Sequence, residues 1–216
     1  MAEQEGVIQF AYHLEPPVAE AADAQLAATL NAWRRILQDL RLLGQDVSRY
    51  GGVGFGDISV RCSAGANEFI ISANQTWGVP QLANEHLVRV KAWNLDRFWV
   101  ECQGQQPPSS ETLTHAMIYA ADARINWVVH GQSQEIWGNS TELAIPQTPA
   151  SVGYGSPEMT SSVAELLDAN QSRPLVFAAQ GHQDGIFSCG PTARDTGGLL
   201  VSYLAKALSL ESPTAG

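Results

Sequence analysis

Short apolar runs joined by tight polar turns constrain this chain more than any other feature. Trp127-Val128-Val129-His130, Leu175 to Ala179 and Gly185 to Cys189 are each too short for a stable helix and read as buried strands. Gly181-His182-Gln183-Asp184 forms the turn between the last two. Further upstream, the glycines Gly51, Gly52, Gly54 and Gly56 lead into Asp57-Ile58-Ser59-Val60-Arg61-Cys62, which alternates in strand fashion. Glu68 to Ser72 is another strand, ending in the polar turn Ala73 to Gly78. Val88 to Ala92 and Arg97 to Glu101 make a further pair around Asn94-Leu95-Asp96.

Helical periodicity fills the gaps. Leu26, Leu30, Trp33, Leu37 and Leu40 step by four and three, which predicts a helix with a buried stripe from Leu26 to Leu40 and a stop at Gly44. Pro107-Pro108-Ser109-Ser110-Glu111 opens a helix to about Ala121, with serine as cap and glutamate in the first turn. Pro157 to Leu167 is helical, and Leu200, Leu204 and Leu208 share one face of a last helix. The sum is an α/β domain with helices covering a sheet. Because many connections are short, the sheet is expected to be largely antiparallel. With 216 residues, 44% of them hydrophobic, one compact core is the natural arrangement. Residues 1–18 read as an N-terminal extension, 19–210 as the domain and 211–216 as a tail.

The charge balance narrows the partners. Asp and Glu number 22 against 12 Lys and Arg, a formal charge of -10, and the basic residues are scattered. Such a surface repels phosphate backbones and anionic lipid, so neither nucleic acid nor membrane is expected as a partner. Cys62, Cys102 and Cys189 are odd in number and widely spaced, with no zinc-finger or disulfide pattern, which makes a reducing cytoplasm the expected setting. No basic and apolar leader opens the sequence and no apolar run is long enough to span a bilayer.

Three short segments place chemistry-bearing side chains at element ends: Pro108-Ser109-Ser110-Glu111, His130-Gly131-Gln132 and Gly181-His182. Two imidazoles and a carboxylate so placed can converge on one divalent ion. Each also admits a structural reading, in which His130 ends a strand with a backbone partner, His182 sits in a turn and Glu111 complements the helix dipole.

In order and spacing these segments resemble the class II aldolase and adducin family. Gly54-Phe55-Gly56-Asp57-Ile58-Ser59-Val60-Arg61 is similar to the family's strand with its Gly-Asn start. Phe69-Ile70-Ile71-Ser72 with Thr76 and Gly78 is similar to the next strand and substrate loop. Pro108 to Glu111 followed by His115 and Tyr119, Val128-Val129-His130, Tyr154-Gly155-Ser156-Pro157-Glu158 and Gly181-His182 follow in family order, from about Asn31 to Leu208.

The resemblance implies a three-layer α/β/α fold and a site in which three histidines hold a metal, usually zinc, beside an acid/base glutamate. Glu111 falls on the glutamate, His130 on the first histidine and His182 on the third, while Gln132 stands where the second belongs. Alternate residues of an extended segment face one side, so Gln132 can still offer an amide oxygen, a harder and weaker ligand for zinc than imidazole. The expected outcomes are a weakened site, a preference for another metal such as manganese, cobalt or iron, or a lost site, with His86, His115 and Glu135 as conceivable substitutes. Asp57 replaces the usual asparagine among the substrate-binding positions Asp57, Thr76, Gly78, Ser109 and Ser110, and a carboxylate there disfavours a phosphorylated substrate. Tyr154 falls near a tyrosine that donates a proton in a neighbouring subunit's site. A small hydroxy-carbonyl or sugar-like substrate, carbon–carbon cleavage through an enediolate and a homotetramer are the further implications. A non-catalytic protein using the fold for assembly, as adducin heads do, and a metal-binding module without turnover are the alternatives.

Overall fold

The computed structural model describes residues 6–17, 22 and 24–211. The first half of the chain forms β1 (Ala11–Glu15), α1 (Ala24–Asp39), β2 (Gly44–Gln45), β3 (Gly54–Phe55), β4 (Asp57–Arg61), β5 (Phe69–Ser72), β6 (Leu87–Asn94) and β7 (Trp99–Gln103). The second half forms α2 (Thr112–Ala121), β8 (Trp127–Gln132), α3 (Gln134–Gly138), β9 (Gln147–Thr148), α4 (Pro157–Ala169), β10 (Leu175–Ala179), β11 (Gly185–Gly190) and α5 (Ala193–Glu211). Among the described residues, nine strands make one sheet in the order β1-β7-β6-β5-β4-β8-β11-β10-β9, and β2 pairs with β3 apart from it.

The sheet is mixed, which corrects the expectation of a largely antiparallel one. The inner pairings from β7 to β10 are antiparallel. Both outer pairings are parallel, β1 with β7 and β9 with β10. Short turns predict only the direction of strands they join directly. β9 returns to β10 through the crossover helix α4, and β1 aligns with a strand far downstream, Ala11 opposite Trp99.

Helices cover both faces. On one side Phe69, Val90, Val128, Phe177 and Phe187 pack with Leu113 and Ala116 of α2 and Met159 and Val163 of α4. On the other Ile58, Val60, Ile70, Val129 and Ile186 pack with Leu30 and Leu37 of α1, Ile136 of α3 and Leu200 of α5. Neighbours Val128 and Val129 fall into different clusters, as strand alternation requires. Each fully buried aliphatic or aromatic side chain contributes on the order of 1.5–3 kcal/mol.

Element ends differ from expectation for local reasons. α1 stops at Asp39 rather than running to Gly44. Arg41 takes the left-handed conformation (φ 58°), Leu42 N–H donates to the Leu37 carbonyl and Arg41 N–H to the Gln38 carbonyl. This double closure leaves Leu40 exposed and carries Leu42 into the core. Leu208 is likewise exposed, whereas Leu200 and Leu204 are buried. α2 begins at Thr112 with Glu111 as its cap residue, so Glu111 precedes the first turn instead of sitting within it. Part of the stretch expected to be an N-terminal extension builds the sheet, as β1. Residues 1–5 and 18 of that extension, 19–21 and 23 of the expected domain, and 212–216 of the expected tail lie outside the described residues.

One stack links the core to the site. The Phe187 ring lies on Phe177 (centroids 5.0 Å, 9° apart in plane) and on His130 (4.5 Å, 17°). Phe187→Ala is therefore expected to cost about 3–5 kcal/mol of stability. The midpoint of urea unfolding measures this, and Phe187→Leu should lose distinctly less.

Candidate metal centre

His130 and Gln132 project from the end of β8, with Gly131 between them. A Cβ at Gly131 would stand 2.7 Å from the Leu42 carbonyl oxygen, so no side chain fits on that face. The strand runs through to Gln132, which pairs with Gly185 of β11, and the Gln132 N–H donates to Leu42 O at 2.7 Å. His182 sits in the turn between β10 and β11, held by His182 N–H to Ala179 O (3.0 Å) and Gly185 N–H to His182 O (2.9 Å). At Gly181 a Cβ would collide with the Val152 carbonyl at 1.9 Å, which accounts for the glycine before the histidine. Glu111 comes from the start of α2, with Thr114 Oγ1 donating to its Oε2 at 2.6 Å.

These three residues converge. Donor atoms of Glu111, His130 and His182 all lie within 4.8 Å of one another, and the residues are 2%, 2% and 3% exposed. His182 Nδ1 is 3.8 Å from Glu111 Oε1. That oxygen is buried and has no hydrogen-bond partner among the described residues. A buried carboxylate oxygen without a donor is costly, and a divalent cation at the point shared with two imidazoles removes the cost. The residues therefore fit a metal ion, and a metal here could polarise a bound carbonyl beside a carboxylate able to move a proton.

Gln132 is fully buried and its Nε2 lies 3.0 Å from His182 Nε2, so its amide faces the cluster instead of packing away from it. Of the conceivable substitutes none joins the cluster among the described residues. His86 accepts from the Ala83 N–H, Glu135 from Ser133 Oγ, and His115 lies against Asp57.

The expected substrate positions divide. Asp57, Ser109 and Ser110 are buried; Ser109 and Ser110 directly precede Glu111, and Ser109 Oγ donates to Asp57 Oδ2 at 2.6 Å. Thr76 is buried with its hydroxyl donating to Ala73 O, and Gly78 lies against the Gln45 side chain. The Tyr154 hydroxyl accepts from Val7 N–H at 3.1 Å and donates to Val7 O at 2.9 Å, tying down Val7. Its ring packs on His182, centroids 4.9 Å apart.

Sequence reasoning missed the buried network behind the cluster. Asp57 Oδ1 is 2.8 Å from His115 Nε2, and Asp57 Oδ2 is 3.6 Å from His130 Nδ1. His115 Nδ1 meets Ser59 Oγ at 2.7 Å, and Ser59 Oγ meets Tyr119 Oη at 2.7 Å. Burial works to raise the Asp57 carboxyl, but the imidazoles of His115 and then His130 overcome it and hold the group well below the usual carboxylate range. Burial raises the Tyr119 phenol well above its ordinary value. The available signal was periodicity: Glu111, His115 and Tyr119 repeat every four residues on a helix, and Asp57, Ser59 and Arg61 every two on a strand.

No helix among the described residues is long and apolar enough to cross a membrane. No curated protein matches the chain. Solved structures are similar in fold. The l-fuculose-1-phosphate aldolase of Thermus thermophilus is 20% identical over 87% of this chain and 93% of its own, with a TM-score of 0.63. An aldolase II superfamily protein from Pseudomonas syringae is 17% identical over 90% and 75%, with a TM-score of 0.60. A sugar-phosphate aldolase from Thermotoga maritima is 15% identical over 89% and 100%, with a TM-score of 0.58. Residues 43–204 match the family described as Class II Aldolase and Adducin N-terminal domain. The chain belongs to the class II aldolase and adducin family.

Proposed function

We propose that this protein is a metal-dependent aldolase-type lyase acting on a small, unphosphorylated hydroxy-carbonyl or sugar-like substrate. The observation that carries the reading is the buried convergence of Glu111, His130 and His182, with one Glu111 oxygen left for a cation or proton. His130 and His182 hold the ion, zinc in the first instance, with the Gln132 amide beside them. The bound ion supplies Lewis-acid polarisation of the substrate carbonyl and its neighbouring hydroxyl. Glu111 moves the proton at the adjacent carbon. Thr114 fixes its Oε2 and so leaves Oε1 for that transfer. Ser109 and Ser110 line the approach at the start of α2.

Two observations favour a substrate without phosphate. The ionised Asp57 repels an anion, and the Ser109 hydroxyl is already donated to Asp57. The proposed assembly is a homotetramer in a reducing cytoplasm, in keeping with three free cysteines.

The test is metal analysis of protein purified without chelator, followed by an aldehyde-release screen of hydroxy-acids and sugars with added zinc, manganese or cobalt. Metal near one equivalent per chain and release from an unphosphorylated substrate are expected. Absence of both would overturn the reading. Glu111→Gln should weaken metal binding without abolishing it, since both imidazoles remain, while kcat at saturating metal falls by about 10²–10⁴-fold. Gln132→His should tighten zinc binding by about tenfold or more, roughly 1.4 kcal/mol, in competition with a chromophoric chelator.

A further inference from the structure

The cluster is poor in strong donors. It holds two imidazoles and a carboxylate, and its near neighbour is a neutral amide. Such a set gains most if the imidazoles it has are well oriented and made more basic, and a carboxylate on the far side of an imidazole does both.

Asp57 stands in that place for His130. The two residues face each other across β4 and β8. Asp57 is 7% exposed and lies outside the group of converging donors. Its Oδ2 is 3.6 Å from His130 Nδ1, a distance that a modest ring rotation closes to a hydrogen bond. The carboxylate is held in orientation from both sides, by Ser109 Oγ at 2.6 Å on Oδ2 and by His115 Nε2 at 2.8 Å from Oδ1. His115 is fixed in turn by Ser59 Oγ at 2.7 Å. Ser109 Oγ also accepts the Glu111 N–H at 3.3 Å, so the same carboxylate ties the strand bearing His130 to the cap bearing Glu111.

We propose that Asp57, braced by His115 and Ser109, is a positioning residue for the metal centre: it takes the Nδ1–H of His130 and so presents Nε2 to the ion, offsetting the weak amide at Gln132. This rests on the metal-dependent reading above, but it concerns metal affinity and not turnover.

Zinc affinity of the metal-stripped chain, measured by competition with a chromophoric chelator, tests it. Asp57→Asn is expected to weaken zinc about 10–100-fold. Because Asp57 also pairs with His115 and Ser109, the metal-free variant should unfold at a lower urea concentration, and zinc affinity is read where it is fully folded. Adding Gln132→His to that variant should restore most of the loss, because a third imidazole removes the need for a strengthened first one. Ser109→Ala, which removes one brace and leaves the charge, should weaken zinc by a smaller factor and provides the reading if Asp57→Asn does not fold. Unchanged zinc affinity in Asp57→Asn, or in Ser109→Ala where that is the variant read, would overturn the proposal while leaving the aldolase reading intact. Normal zinc effects without turnover on any substrate would do the reverse. A wild-type chain that binds no zinc sinks both.

Discussion

The contact between the polar face of β4 and one face of α2 sets the position of everything else in the site. All five residues of β4 are buried. Ile58 and Val60 enter the core beneath α1, which leaves Asp57, Ser59 and Arg61 to find partners on the opposite side. They find them on the helix. Asp57 meets His115, Ser59 meets His115 and Tyr119, and the Arg61 guanidinium lies 4.6 Å from the Tyr119 ring centre while Nη2 donates to the Tyr119 carbonyl. The match is geometric: four helical residues advance about 6 Å and two strand residues about 6.6 Å, so the two repeats stay in step over this short length. A polar seam of this kind is costly unless each group is paired, and it fixes the helix in one register along the strand.

Register matters because the helix start carries Glu111 while the neighbouring strand carries His130. A slip of one turn would carry the carboxylate about 5.4 Å from the imidazoles, beyond reach of a shared ion. His182 is placed independently, by a turn whose glycines leave no room for side chains and by the Tyr154 ring laid against it. The cluster is thus assembled by three separate devices: a seam, a strand end and a crowded turn. The stacked rings of Phe177, Phe187 and His130 connect it to the core on the α2 and α4 side.

Much of this was legible in the sequence, and what was not has identifiable causes. The helix period of Leu26 to Leu37, the short apolar strands and the helix start after Pro108 report burial and capping, which are local. Glu111, His130 and His182 were readable as site residues because each sits where an element ends. Strand direction at the sheet edges was not readable, because it depends on partners such as Trp99 for Ala11 that no local rule supplies. The seam escaped notice because alternation in Asp57 to Arg61 suggests one solvated face, whereas both faces are covered. The place of Tyr154 depended on Val7, near the other end of the chain.

The edge strand β1 has a consequence for how the molecule is made. Ala11–Glu15 align with β7, so they lack their sheet partner until the chain has been made through Gln103. Pairings this distant along the chain close late, after the local hairpins of β4 through β7 have formed. Among the described strands β1 comes first along the chain yet docks only once β7 is in place, and Phe10, which belongs to the core beside it, arrives with it as the closing piece of that side of the sheet.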